Sequence, residues 1–558
     1  MKPKHPYGAV AVWCVVFFVL VPGMCAQEAP APSQTGVPQD WSQRHIVFSR
    51  DALAQHPDLI YREPRILHQA MQRWQAPNAA VFHGVDPLPT SVNNSGHRDW
   101  SVSPLGGRLA ADMFPAKFSF DPGAPPDCTN DYVVFGLTTT STGNQANLVA
   151  FNNLYVGTGG YCGAGPKPTV LFAYNITTVT GGHITTSPIL SEDGKKIAFV
   201  ESVPANAGLG IPASAIFHVL TWTAGQGKIG AATAPTSWTS LTFSAKNDTI
   251  SSPWVDYGSD TVYVGANDGA VYKITGVFKG TPALAGAPWP VTVGINTTLT
   301  PPVLDSRLGM LMVGSSNGKL YRINTTTGAF ATLPVGATGS TNHGILAPPI
   351  VDVTNGTTFV VSSNNGTSAV LVEADTATLT LLAETSIGLG SASGTAVTLY
   401  EPAFDNNYYN NPSTGLIHLC GTGPSDITPW QYAFGFSGRT MIPTNATGFP
   451  QQLTTSTTDR CTGWTEFFNP YVGAAPGTDF FFFGLSDNCT PTGSSITTGC
   501  VVALSINSGT TTTRTAAVTG GPTGIVVDNY STAAQASSIY FAARSVNTAY
   551  KFTQNGLQ

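Results

Sequence analysis

Residues 253–274 read PWVDYGSDTVYVGANDGAVYKI, and 49 residues further on, residues 302–323 read PVLDSRLGMLMVGSSNGKLYRI. The two stretches share a leading proline, an aspartate three residues later, a Val-Gly strand end, an Asp-Gly or Asn-Gly turn and a closing Val/Leu-Tyr-Lys/Arg-Ile strand. A period near 50 made of short strands marks a repeat architecture, in which each unit buries its apolar face against its neighbours. Asp268-Gly269, Asn317-Gly318 and Asn365-Gly366 supply the positive-φ pair that a tight hairpin needs.

The same punctuation recurs at Pro115, Pro188, Pro253, Pro302, Pro349, Pro402, Pro470 and Pro522, with spacings of 73, 65, 49, 47, 53, 68 and 52 residues. Each anchor precedes a hairpin of apolar strands, as at residues 197–200, 261–264, 311–313, 358–361, 480–483 and 539–542. Units of three or four strands, repeated around a ring, predict an all-β protein of the β-propeller class. Eight blades are favoured, with seven as the alternative count. The composition suits such turn-rich architecture: 59 Gly, 41 Pro and only 10% charged residues in 558. The last unit stops soon after its third strand at Phe552, so a strand from residues 99–102 is expected to complete it and remove an exposed edge.

The chain before the ring divides into three parts. Residues 1–26 read as a signal peptide, with Lys2 and Lys4 before an apolar core and a small-residue cleavage site near Ala26. Cys25 suggests a lipoprotein, against which stands Met24 in the place of a small residue. Residues 27–38 are a Pro/Ala-rich linker, expected to be disordered. Residues 39–111 form an N-terminal segment with one short helix at 63–74, where Ile66, Leu67, Ala70, Met71 and Trp74 fall on one stripe. The propeller is assigned to residues 112–558. Export to the periplasm, the cell surface or the medium follows, with no transmembrane span once the signal is cleaved.

Cleavage takes the net charge from −6 to −8, since two lysines leave with the signal. Lys and Arg form no runs, which argues against nucleic acid as a partner. The six remaining cysteines, Cys128, Cys162, Cys420, Cys461, Cys489 and Cys500, read as disulfides in an exported chain. Nearest-neighbour pairing is expected, each bridge stapling an insertion within one unit. No Cys-x-x-Cys or Cys/His cluster points to a metal.

On these repeats and hairpin turns the chain resembles NHL-like, YWTD-like and PQQ-repeat propellers. Residues 522–528 followed by 538–543 are similar to an NHL-type blade, and Asp40-Trp41-Ser42 resembles the N-terminal segment of exported bacterial propeller proteins. The resemblance covers roughly residues 112–552 and implies fold rather than function. It implies no quinone cofactor, because the regular tryptophans and vicinal cysteines of quinone-dependent propellers are missing. Calcium has Asp405, Asn406 and Asn410 to bind to, but too few carboxylates for a strong site.

Features that recur in every blade belong to the scaffold. The aspartates Asp256, Asp305, Asp352 and Asp405 end their strands before turns, where a carboxylate bonds backbone N–H groups. Gly314-Ser315-Ser316-Asn317-Gly318 spells a nucleophile elbow, yet it lies between two strands rather than between a strand and a helix. Function is expected where the period breaks, in the long units at 137–168, 201–215 and 405–469. Glu401, Glu466 and His343 are the candidate catalytic groups, as loop residues ahead of blades. Tyr408, Tyr409, Trp430 and Tyr432 are candidate ligand-binding aromatics. The expected function is binding of a protein or polysaccharide ligand by a monomeric, exported propeller through one face. The alternatives are a glycan hydrolase or lyase at the channel mouth, and a structural component of the cell envelope.

Overall fold

The structure, a computed structural model, describes residues 37–554 apart from 41–44, 49–95, 105–106, 112, 121–124, 141–143, 249, 337–343, 471, 475, 490–495, 508–509 and 530–534. The expected signal peptide, most of the linker and the helix at 63–74 lie outside the described residues.

Eight antiparallel sheets make an eight-bladed β-propeller. Blade 1 holds Ala116–Ser119, Tyr132–Gly136, Leu148–Asn152 and Thr169–Tyr174; blade 2 holds Ile189–Leu190, Lys196–Val203, Ser214–Thr221 and Trp238–Ser244. Blade 3 runs from Trp254–Asp256 through Thr261–Gly265 and Ala270–Thr275 to an outer edge shared by Ala283–Leu284 and Val291–Thr292. Blade 4 (Val303–Asp305, Met310–Gly314, Lys319–Asn324, Phe330–Pro334) and blade 5 (Ile350–Asp352, Thr357–Ser362, Val370–Asp375, Leu381–Ser386) are the most regular. Blade 6 is built on Ala403–Phe404, Ile417–Thr422, Pro429–Ser437 and Thr440–Asn445, and blade 7 on Thr465–Asn469, Thr478–Asp487, Thr498–Asn507 and Thr510–Ala517.

Blade 8 takes Val526–Asn529, Ser537–Ala542 and Ala549–Gln554 from the end of the chain and Gly96–Val102 from its beginning. A buried charge network backs this junction. Lys551 donates to Asp99, Lys117 of blade 1 lies 2.9 Å from Asp528 of blade 8, and all four side chains are fully buried. The Tyr155 hydroxyl donates to Asp131 at 2.9 Å beside them.

The first strands of neighbouring blades touch one another, so they line the ring axis. Their sequences are short and wholly buried, as expected of strands covered on both faces. Two N-terminal pieces add to them. Val37–Gln39 pairs with the first strand of blade 1, and Ile46–Val47 runs parallel to the first strand of blade 5. In a ring of eight these blades stand opposite each other, so residues 37–39 and 46–47 lie on opposite sides of the axis. The partners are Lys117 to Ser119 and Val351 to Asp352, the trailing ends of both strands. Asp40 ties the same segment to blades 2 and 3: its Oδ2 accepts from Leu190 N at 3.1 Å and lies 3.1 Å from the Tyr257 hydroxyl.

The repeating aspartates cap turns. Asp305 accepts from Arg307 N and Leu308 N, Asp352 from Thr354 N and Asn355 N, and Asp405 from Tyr408 N and Leu416 N. The elbow-like serine stretch is the hairpin between Met310–Gly314 and Lys319–Asn324, with Gly318 at φ 76°.

Two expectations need correction. Pro470 does not lead into blade 7: it follows that blade's first strand, Thr465–Asn469, where Trp464 stands in the leading position instead. The disulfides pair as expected, Cys128–Cys162, Cys420–Cys461 and Cys489–Cys500. However, Cys420–Cys461 does not stay within one blade. Cys420 is on the second strand of blade 6, while Cys461 bridges Leu485 of blade 7.

Candidate functional site

At the end of the axis away from residues 37–39 and 46–47, the loops leading into seven of the eight blades converge on one cavity. Its wall is mostly apolar, with Phe114 from blade 1, Ile250 and Pro301 from blades 3 and 4, and Leu346 and Ala347 from blade 5. The polar wall lies on one side, at Tyr400, Glu401 and Thr462 from blades 6 and 7. Glu401 is the one charged residue among the described lining residues. It is 5% exposed and packs against Gly463, where an added Cβ would fall 2.3 Å from its Oε1. Glycine at 463 therefore makes room for the carboxylate.

The three candidate catalytic residues part company. Glu401 lines this cavity. Glu466 lies inside the first strand of blade 7, opposite Phe481, and its charge bears on Asp405 of blade 6. The shift of the blade 7 boundary explains the separation: Glu466 is a strand residue, not a loop residue ahead of a blade. His343 lies outside the described residues.

The aromatic candidates divide by burial. Tyr408 is 1% exposed, donates to Asp352 Oδ2 at 2.7 Å and packs on Phe404 and Phe436. Tyr432 is buried and donates to Thr422 O at 2.6 Å. Tyr408 thereby joins blades 5 and 6, whereas the Tyr432 bond stays within blade 6. Tyr409 and Trp430 keep partial exposure, with Trp430 Nε1 donating to Thr428 Oγ1 at 2.9 Å. Asp405, Asn406 and Asn410 build a short helix, Asn406–Asn410, which Asp405 caps. Burial, with Glu466 adding to it, pushes the Asp405 carboxyl up to about 6. Among the described residues no cluster of His, Cys, Asp and Glu has the arrangement to hold a metal ion.

Sequence reasoning missed Asp459 and Arg460, next to the bridging Cys461. Asp459 is fully buried in the loop leading into blade 7, and burial pushes its carboxyl up to about 6. Burial lowers the Arg460 guanidinium below its usual range, and the charge of Arg544 on blade 8 adds to that. Neither belongs to the repeat, and only their adjacency to a cysteine set them apart.

No protein-family model matches the chain, and no curated protein matches it. Solved structures share its architecture. BamB from Moraxella catarrhalis is 13% identical, with 82% of this chain and 99% of that chain covered at a TM-score of 0.43. The Dos1 propeller is 10% identical over 82% of this chain and 95% of that one, TM-score 0.45. The WD40 β-propeller domain of Doa1 is 9% identical over 82% and 97%, TM-score 0.39. These are likenesses of fold; the eight-blade architecture stands on the sheets themselves.

Proposed function

We propose that this chain is an exported, monomeric binding propeller that holds a macromolecular ligand, protein or glycan, on the face where the loops leading into the blades converge. The supporting observation is the cavity that seven blades share there, apolar on one side and lined by Glu401 on the other. Residues 37–39 and 46–47 occupy the inner strand edges at the opposite end. A pocket with an apolar wall and a few placed polar groups suits ligand binding. Three disulfides fit an oxidising compartment, in keeping with export. No helix among the described residues is long and apolar enough to cross a membrane.

Retention of the full chain on arrays of neutral glycans, acidic glycans and proteins tests the proposal. Glu401→Gln and Leu346→Arg, both on the cavity wall, are expected to reduce retention at least tenfold, the effect of about 1.4 kcal/mol. Retention equal to that of the unsubstituted protein in both variants would sink the assignment of this face.

A further inference from the structure

Three adjacent strands on the outer side of blade 2 bring together a carboxylate, an imidazole and a hydroxyl. Glu201 lies on Lys196–Val203, His218 on Ser214–Thr221 and Ser240 on Trp238–Ser244. His218 Nε2 is 2.9 Å from Glu201 Oε2, and His218 Nδ1 is 2.9 Å from Ser240 Oγ. Glu201 and His218 are fully buried, whereas Ser240 is exposed on the outermost strand of the blade. The break in the repeat at 201–215 begins at Glu201 and ends just before His218. The cluster stands apart from the channel mouth and does not depend on a ligand binding there.

The carboxylate decides the tautomer. Glu201 Oε1 accepts from Thr178 N at 2.9 Å and Val179 N at 3.3 Å, and Oε2 accepts from Thr178 Oγ1 at 2.5 Å. Burial alone would raise this carboxyl, but the hydrogen bonds from His218 and Thr178 bring it below its usual range. An ionised carboxylate can only accept, so Nε2 carries the proton and Nδ1 turns a lone pair to the Ser240 hydroxyl. Phe199 and Trp238, from the strands on either side, stack on the imidazole at 5.2 and 5.0 Å and fix its plane. An added Cβ at Gly182 would fall 1.9 Å from Glu201 Oε1, so glycine there makes room for the carboxylate.

The ladder adds a donor for a developing oxyanion. Thr221 N donates to Ser237 O at 2.9 Å, and in the same register His218 faces Ser240. Hydrogen-bonded and non-bonded pairs alternate along antiparallel strands, which makes His218 and Ser240 a non-bonded pair with side chains close together. Ser240 N–H therefore points outward, at the edge where the sheet ends. There it can meet the oxygen of a carbonyl under attack by Ser240 Oγ. One backbone donor suits a carbonyl with a good leaving group, an ester rather than an amide. Trp238, partly exposed beside Ser240, offers an apolar face to a short acyl group.

We propose that blade 2 hydrolyses esters of short-chain carboxylic acids, with Ser240 as nucleophile, His218 as general base and Glu201 as the residue that positions the imidazole. Ser240 Oγ attacks the carbonyl carbon while His218 Nδ1 takes its proton; the C–O bond to the alcohol breaks and the alcohol leaves with that proton. Water then attacks the acyl-serine and gives a proton to His218 Nδ1; the bond from Oγ to the acyl carbon breaks, the proton returns to Oγ and the free acid departs.

The test is hydrolysis of p-nitrophenyl acetate by the full chain, with a fluorophosphonate, which loses fluoride to an activated serine, as covalent probe. The acetate is expected to turn over above the buffer rate and faster than p-nitrophenyl octanoate, and the probe to map to Ser240 by mass spectrometry. Ser240→Ala, at an exposed position, is expected to lose the label and to lower kcat at least about a hundredfold. His218→Phe, which keeps the stacking on Phe199 and Trp238, is expected to match it; Ser240→Ala carries the test if His218→Phe fails to fold. Glu201→Gln is expected to lower kcat per folded molecule about a hundredfold at unchanged KM, and an unchanged kcat would overturn its positioning role. Turnover that survives Ser240→Ala, a label on another residue, or the absence of both turnover and label overturns the proposal.

Discussion

Two buried side chains in blades 5 and 6 bound the pH range in which the ring is most stable. Glu373 is fully buried; its Oε2 accepts from Met441 N at 2.6 Å while Oε1 has no protein partner. Burial raises its carboxyl from 4.5 to about 7, with Asp352 adding and Arg439 opposing. Between those values the folded state keeps a proton that the unfolded state has released, so stability falls as pH rises. His418 lies among Trp464, Phe481 and Phe449 with neither ring nitrogen bonded in the protein. Burial lowers it from 6.5 to about 4, so there the unfolded state gains a proton that the folded state refuses, and stability falls as pH drops. Glu373→Gln is expected to raise the stability above pH 7 by about 3 kcal/mol and to change little below pH 4.5. His418→Phe is expected to flatten the acid limb between 6.5 and 4; urea unfolding across pH checks both. At this scale the sequence is readable where chemistry is local. Asp305 and Asp352 cap turns two and three residues away, and the turn pattern predicts them. Asp459 finds Ser486 and Asp487 across the blade, and Tyr408 finds Asp352 in the neighbouring blade. No spacing within one unit records such pairs, and Tyr408 in an Asn-rich stretch reads as exposed although it is core.

Among elements, the loop leading into blade 7 does the most varied work. It carries Asp459 and Arg460, contributes Thr462 and Gly463 to the channel mouth, and is tied to blade 6 through Cys461. Cys420–Cys461 closes a separation of 41 residues and Cys489–Cys500 only 11. Chain-entropy reasoning gives losses of about 4 and about 3 kcal/mol when each is replaced by a serine pair. The first replacement is expected to lower the thermal midpoint more. Equal midpoints for the two double variants would contradict this. Hairpins with Asp-Gly or Asn-Gly turns declare themselves in the sequence, and the strands at 261–264 and 311–313 fall where the period puts them. Blade 7 does not follow that rule, because Trp464 replaces the leading proline and Pro470 sits in the next turn. That displacement moved Glu466 from an expected loop into a strand.

At the scale of the whole molecule, the ring closes over a buried network of charges. Asp99→Asn leaves Lys551 buried without its counter-ion and is expected to cost about 3–5 kcal/mol, measurable as a lower denaturant midpoint. Asp99→Leu with Lys551→Met removes both charges and is expected to recover most of that loss; a double variant as unstable as the single would show that the pair itself stabilises the closure. The same junction governs how the chain must acquire its structure. Lys551 and Asp99 are separated by 452 residues, and the strands that carry them are neighbours in one sheet. The entropy of closing so long a loop grows only logarithmically with length, so the completed ring is not greatly penalised. The rate is a different matter, because pairings so distant in sequence slow folding. Blades 2 to 7 can assemble from local hairpins as the chain emerges, while the strand from residues 96–102 waits without its sheet partner for the final thirty residues to arrive. Until then an open sheet edge is available to any other strand, including one from a second chain. Truncation from either end should therefore yield not a shorter stable ring but a protein prone to aggregate.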